Sequence, residues 1–429
     1  MVLALLVIGI VYAAPIVVDS FDVGEQALWV SATKTSDSDY VEHGDILGGE
    51  RDTFLTYSSG TGARINLDID FGGTSNRLAY TAGDTMEGTA EIQWDDDDNG
   101  APSLNYALNQ DLSGDDGFLV EVIFDDLEGK ITMEAHTDAT HWSNMTIDLP
   151  GGLDDPTNRM DLFFDQGSFT QQGTDGPVNW SDVDAIVLKL DGTVDPALDV
   201  TIDSVESTSV REYGDLPSSY GTDILSANHI PKGLRLGNNV DTEASYPTTG
   251  DADADDTTDF DDEDGVRPTP GVNWQPGTNG GSIDVTVEGC SGTCYLNGWI
   301  NWNSTGTDSD SDFDDPGEQI LTNYPISNGA DQTIPFDIPA GTDTTDTFFY
   351  ARFRICETSG ACDNVDNTDT NVNNGEVEDY KWSFGPTGVV LSELKAHPAS
   401  YGGWALTPAA IILLGLAAMG FLAVARRRV

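Results

Sequence analysis

Apolar and polar residues alternate with a period of two through much of the chain. In "RINLDIDF" (64–71), Ile65, Leu67 and Ile69 share one side, and Asn66, Asp68 and Asp70 share the other. Successive side chains of a strand point to opposite faces, so this is the pattern of a half-buried β-strand. "LDVTIDSVE" (198–206) repeats it with Leu198, Val200 and Ile202. "FLVEVIF" (118–124), "AIVLKL" (185–190), "IDVTVE" (283–288) and "FFYARFRI" (348–355) read as strands at least partly buried. Gly, Asp, Asn and Pro clusters separate these runs. Many short strands with turn signals, and no helical period, predict an all-β chain of two β-sandwiches. No tandem repeat is evident.

Composition agrees with that reading. The 429 residues leave room for two or three domains, and 38% hydrophobic with 9% aromatic residues is enough to build cores. The 74 acidic residues against 18 basic ones give a formal charge of −56. Phosphate would be repelled by such a chain, so nucleic acid is excluded as a natural partner. The acidic residues are mostly Asp, and Lys is scarce, which also suits a protein adapted to high salt.

The ends suggest a location. Residues 1–14, "MVLALLVIGIVYAA", form a short apolar run closing on small residues, with Val11-Tyr12-Ala13 as a signal-peptidase site, although no basic residue precedes the run. Ala409 to Ala425 is a second apolar run, followed by Arg426-Arg427-Arg428. Its length is at the short limit for a membrane-spanning helix, and the basic cluster would hold that end in the cytoplasm. The expected arrangement is an extracellular body with a single anchor in 404–429, behind a spacer at 387–403.

That location changes the meaning of the four cysteines, Cys290, Cys294, Cys356 and Cys362. Outside the cytoplasm an even number favours two disulfides. The C-x3-C and C-x5-C spacings are not those of a zinc ribbon. Both pairs flank Gly-containing turns, which favours Cys290–Cys294 and Cys356–Cys362 over the crossed pairings.

Residues 15–206 open with "VVDSFD", contain "DILGGERD" (45–52) and close with "PALDVTIDSVES". These phrases resemble the jelly-roll-like amino-terminal domain of bacterial surface proteins that end in PEP-CTERM-type sorting signals. A boundary falls near 207–225. Beyond it, "YGDLPSSYGT" (213–222), "GLRLGNNVDTE" (233–243), "DFDDEDGV" (259–266), "GWINWNSTGTDSDSDFDDPGEQI" (298–320), "FYARFRI" (349–355) and "NGEVEDYKW" (374–382) follow in order. Together they resemble a GEVED domain over about 211–386, named after the string at Gly375–Asp379. The resemblance implies an immunoglobulin-like β module of a large, adhesin-like bacterial surface protein, and no particular activity.

Two acidic stretches are candidate calcium sites. "DSDSDFDDPGE" (308–318) alternates carboxylates and closes on Glu318, much as a loop wraps calcium. The resemblance implies ligands at Asn301, Asn303, Asp310, Asp312, Asp314 and Glu318. The second stretch, "DADADDTTDFDDEDGV" (251–266), carries nine carboxylates between Asp251 and Asp264, with Asp261, Asp262 and Asp264 within the family pattern. A solvated acidic loop, or a face suited to salt, is the alternative reading of both.

No nucleophile elbow, zinc-protease motif or phosphate loop occurs, and the five histidines form no ligand pattern. Acidic residues are too abundant for any chance pair to identify a glycosidase. Trp94, Trp142 and Trp180 are candidate rings for stacking against a sugar, with burial in a core as the alternative. The sequence thus predicts a non-catalytic surface protein that binds glycan or another surface protein, with calcium-stabilised domains. A structural spacer and a glycan-active hydrolase are its rivals.

Overall fold

The computed structural model describes residues 15–383 except 74, 97–102, 154, 156–157, 255–261, 303–310, 343–347, 367 and 369–371. The segments read as signal (1–14) and anchor (404–429) lie outside the described residues. Among the described residues no helix is long and apolar enough to cross a membrane.

The architecture is all-β, with a single short helix, α1 (Gly221–Leu225), among the described residues. The amino-terminal half packs two seven-stranded sheets. The inner order of the first is β11 (Met160–Asp165), β8 (Gly117–Asp125), β14 (Asp199–Thr208), β6 (Leu78–Ala82), β5 (Ile65–Ile69) and β2 (Gln26–Val30), with β1 (Ile16–Asp19) also pairing with β14. The second runs β12 (Thr170–Gln171), β10 (Trp142–Leu149), β9 (Gly129–His136), β13 (Ala185–Asp191), β7 (Glu87–Trp94), β4 (Glu50–Ser59) and β3 (Ser36–Glu42). One apolar core joins them. Ile65, Leu67, Ile69, Val200 and Ile202 from one sheet and Ile92, Ile131, Met133 and Leu188 from the other have no exposed surface. The period-two pattern predicted these faces, and the jelly-roll-like form of this half is what it builds.

Two further sheets make the carboxyl-terminal sandwich. In one, β17 (Arg235–Leu236) and β18 (Val266–Pro268) flank β19 (Gly277–Glu288), which also pairs with β22 (Gly329–Ile338). The other has the order β21 (Gln319–Ile326), β20 (Cys294–Ile300), β23 (Phe349–Cys356) and β25 (Gly375–Trp382). Ile283, Val285 and Phe336 from the first share a core with Leu296, Ile300, Phe353 and Tyr380 from the second. A small sheet of β15 (Glu212–Tyr213), β16 (Asn228–Ile230) and β24 (Val372–Asn373) lies beside them. Disulfides join Cys290 to Cys294 and Cys356 to Cys362.

The two halves are joined by backbone as well as by chain. Asp161 donates its N–H to the Val240 carbonyl, and Phe163 to that of Pro231 (3.1 and 2.9 Å). Val240 is itself buried in the amino-terminal core. The segment after β16 therefore lines the β11 edge and covers hydrogen-bonding groups that an open edge would expose.

Candidate binding face and buried carboxylates

The second amino-terminal sheet has an outward face, and strand parity decides what stands on it. In β7, Ala90, Ile92 and Trp94 point into the core, so Glu91 and Gln93 point out. Met133 and Ala135 of β9 point in, so Glu134 and His136 point out. Register aligns these residues across the sheet. Tyr40 pairs with Asp52, Asp52 with Gln93, Gln93 with Val187, Val187 with Glu134, and Glu134 with Asn144. Two residues further along the same face, His136 pairs with Trp142.

This face is unusually polar for one so enclosed. Asp52, Gln93, Glu134 and His136 are all buried, at 1, 3, 7 and 5% exposed. The segment from Leu104 to Asn109 passes over it: Asn105 donates its N–H to Asp95 (2.6 Å), and the Tyr106 ring stands 5.9 Å from that of His136. Tyr106 takes a left-handed backbone conformation, φ 53°, rare for an aromatic residue. Gln93 donates to Glu91 (2.5 Å), but its Oε1 has no hydrogen-bond partner, and neither has His136 Nδ1. A buried polar atom without a partner costs about 1–3 kcal/mol, so such atoms mark places where another molecule can complete the set. Trp142 and Tyr106, whose rings lie against His136, are half-buried, and Tyr40 at the β3 edge is exposed.

An ion triad crosses the same face. Lys189 Nζ lies 2.8 Å from Glu134 and 3.6 Å from Glu91. Burial opposes ionisation of Glu134, yet hydrogen bonds from His136 and Lys189 hold its carboxyl below the usual range. A glycosidase general acid needs the opposite, a carboxyl raised toward neutrality.

The three candidate tryptophans divide. Trp94 is not available for stacking: it has no exposed surface, and its Nε1 donates to Asp19 (3.0 Å), which also accepts two bonds from Arg51 Nη1 (3.1 and 2.9 Å). The alternation Gly88, Ala90, Ile92, Trp94 contained that answer. Trp180, half-buried, packs against Phe118 and Phe169 beside the core. Trp142 stands on the outward face. Sequence reasoning missed Gln93, Glu134, His136 and Tyr106, which depend on register between distant strands; only parity within each strand pointed to them.

The candidate metal residues fall into two neighbourhoods. Asn301 and Glu318 are buried, and Asn301 Nδ2 donates to the Asp312 carbonyl (2.8 Å). Glu318 accepts the N–H groups of Trp302 and Asp315 through its two oxygens (3.1 Å each), and burial pushes its carboxyl up to about 8. Asp312 and Asp314, with Asp223 and Asp366, line a hollow of about 450 Å³. Asn303, Asp310 and Asp261 lie outside the described residues.

Asp262 and Asp264 instead face the Gly-Glu-Val-Glu-Asp strand, β25. Each residue of that string has a visible structural reason. Gly375, at φ 150°, leaves no room for a side chain, since a Cβ would come within 2.0 Å of the Ile355 carbonyl. Glu376 accepts the N–H of Leu236, and Glu378 that of Gly265 (2.7 Å). Val377 gives its own N–H to Glu212 (2.8 Å). Asp379 takes two bonds from the buried Arg352 (2.8 and 2.6 Å) and one from Leu216 N–H (3.1 Å). The string is thus a clamp that pins three upstream segments to one strand. Among the described residues no group of three or more His, Cys, Asp or Glu side chains is ready-made to hold a metal ion.

Comparison with known proteins adds the following. No curated protein matches the chain. A family 11 carbohydrate-binding module from Clostridium thermocellum, solved with a mixed-linked β-1,3-1,4 tetrasaccharide, is similar at 11% identity and TM-score 0.23, covering 44% of this chain and 96% of its own. The family 11 module of the Clostridium thermocellum cellulase Lic26A-Cel5E is similar at 8% identity and TM-score 0.25, covering 46% and 95%. A β-1,2-glucanase from Parabacteroides distasonis is similar at 11% identity and TM-score 0.24, covering 87% of this chain and 39% of its own. The GEVED domain model matches residues 295–383, which include β20, β23 and the Gly375–Asp379 clamp.

Proposed function

We propose that this protein is a non-catalytic surface protein that binds glycan on the outward face of its second amino-terminal sheet. The observation that carries this is the pair Gln93 Oε1 and His136 Nδ1, buried without partners on the face where the half-buried rings of Trp142 and Tyr106 lie against His136. A sugar offers hydroxyls to such atoms and an apolar ring face to aromatic side chains, and few other ligands offer both. The ionised Glu134–Lys189 pair suits hydroxyl recognition and gives no acid for glycosidic cleavage.

In this reading the terminal segments place the body outside a bacterial cell, held by 404–429. The carboxyl-terminal sandwich serves as a rigid, disulfide-braced mount, stabilised by calcium in the 301–318 loop. A glycan array probed with the full chain tests the binding. Retention on a defined class of saccharide supports it, and an empty array favours a structural spacer.

A further inference from the structure

Hydrogen bonding on the outward face fixes the polarity of its two unpartnered atoms. Burial opposes ionisation of Glu134, but hydrogen bonds from His136 and Lys189 hold it ionised. An ionised carboxylate has only acceptors to offer. His136 Nε2, 3.3 Å from Glu134 Oε2, therefore carries the hydrogen of the ring. In the uncharged imidazole this leaves Nδ1 a bare acceptor. Gln93 follows the same logic. Its Nε2 donates to Glu91 (2.5 Å), a carboxylate that also faces Lys189, so the atom left over is the amide oxygen. The donors of this group are spent: Gln93 Nε2 on Glu91, His136 Nε2 on Glu134, and Lys189 on Glu134 and Glu91. Gln93 stands on β7 and His136 on β9, with β13 between them. Trp142, stacked flat on the imidazole, holds the plane of the ring and with it the direction of the Nδ1 lone pair.

We propose that this face selects uncharged glycans, reading sugar hydroxyls as donors through Gln93 Oε1 and His136 Nδ1 and rejecting uronate, sulfate and phosphate groups. The inference rests on the glycan reading above and adds the class of sugar. A hydroxyl gives its hydrogen to either acceptor and so completes an atom that is otherwise buried without a partner. An acidic group has no hydrogen to give. It would lose its hydration against two lone pairs and beside the carboxylates Asp52, Glu91 and Glu134, with Lys189 already 2.8 Å from Glu134. The chain's formal charge of −56 also repels acidic sugars, but that repulsion is long-ranged and is screened within about 3 Å at 1 M salt. The mismatch at Gln93 and His136 is local and survives the salt.

The test applies the full chain to an array of uncharged, uronate-bearing and sulfated saccharides near pH 7.5, in about 0.15 M and then about 1 M sodium chloride. H136F and Q93L run alongside. The first keeps a ring to stack on Trp142 and the second keeps the bulk of Gln93, yet each removes one acceptor. Circular dichroism reports the fold, and Q93L decides the matter if H136F does not fold. The expected result is retention on uncharged saccharides alone at both salt concentrations, weakened about tenfold by each variant. Retention on acidic saccharides, including retention that appears only at high salt, would overturn the selectivity and leave glycan binding standing. Retention on uncharged saccharides that both variants match would overturn the role of the two acceptors. An array without retention would overturn the glycan reading and this inference together.

Discussion

Trp142 lies flat against His136, their ring centroids 4.9 Å apart and the planes 12° from parallel. The pair joins β10 to β9 on the outward face, two residues from Glu134. Trp94, on the opposite face of the same sheet, is sealed in the core. Their truncations should therefore differ. Trp94→Ala is expected to cost about 3–5 kcal/mol, the range for a large buried aromatic, and strands the Asp19–Arg51 pair with one bond fewer. Trp142→Ala should cost about 1 kcal/mol. Urea denaturation of both variants measures the contrast.

Asp125 gives a pH prediction. Burial pushes its carboxyl up to about 7, against a hydrogen bond from Gly151 N–H (2.8 Å) and the field of Arg235. A group raised in the folded state supports stability fully below its unfolded value, near pH 4, and that support is lost as the pH climbs through 7. Asp125→Asn keeps an acceptor for Gly151 and removes the charge. It should match wild type near pH 5 and exceed it by about 2–3 kcal/mol near pH 8. Denaturation midpoints at the two pH values check this; a loss at pH 8 would contradict the assignment.

Two ion pairs should behave oppositely. Arg352 and Asp379 are fully buried, 2.6 Å apart, and Asp379→Asn leaves the guanidinium uncompensated at a cost of about 3–5 kcal/mol. Arg267 and Asp331 are also 2.6 Å apart but more than half exposed, and Asp331→Asn should cost less than about 1 kcal/mol. Equal costs would show that burial is not what sets the worth of the clamp. The same denaturation assay measures both.

The disulfides close loops spanning 4 and 6 positions. Loop entropy assigns about 2 kcal/mol to each. Replacing each pair with Ser should lower stability by about that amount, and non-reducing peptide mapping should recover the two local links. Four reactive thiols in the native protein would contradict both.

Strand parity was readable wherever apolar residues alternated strictly. Ile65, Leu67 and Ile69 proclaim one buried face, and Met145, Ile147 and Leu149 imply that Trp142 faces the other way. The local cysteine pairing was equally open to reading, because it needs only a short turn. What joins Gln93 to Val187, or Glu212 to Val377, is register between strands far apart in sequence, and no local pattern encodes it. The acidic stretch 251–266 could be seen as charge. That Asp262 is buried and acts on Glu376 depended on the clamp strand 114 positions away, as Gly265 to Glu378 also illustrates at 113.

Glycan binding on the outward face is the central claim, and a paired glycan array tests it most directly. The full chain and its Trp142→Ala/Gln93→Ala variant are applied side by side, with circular dichroism confirming that the variant is folded. The prediction is selective retention of the wild type on one saccharide class and at least about a tenfold weaker signal for the variant, equivalent to about 1.4 kcal/mol. Equal retention of the two proteins, or retention of neither, would contradict the account.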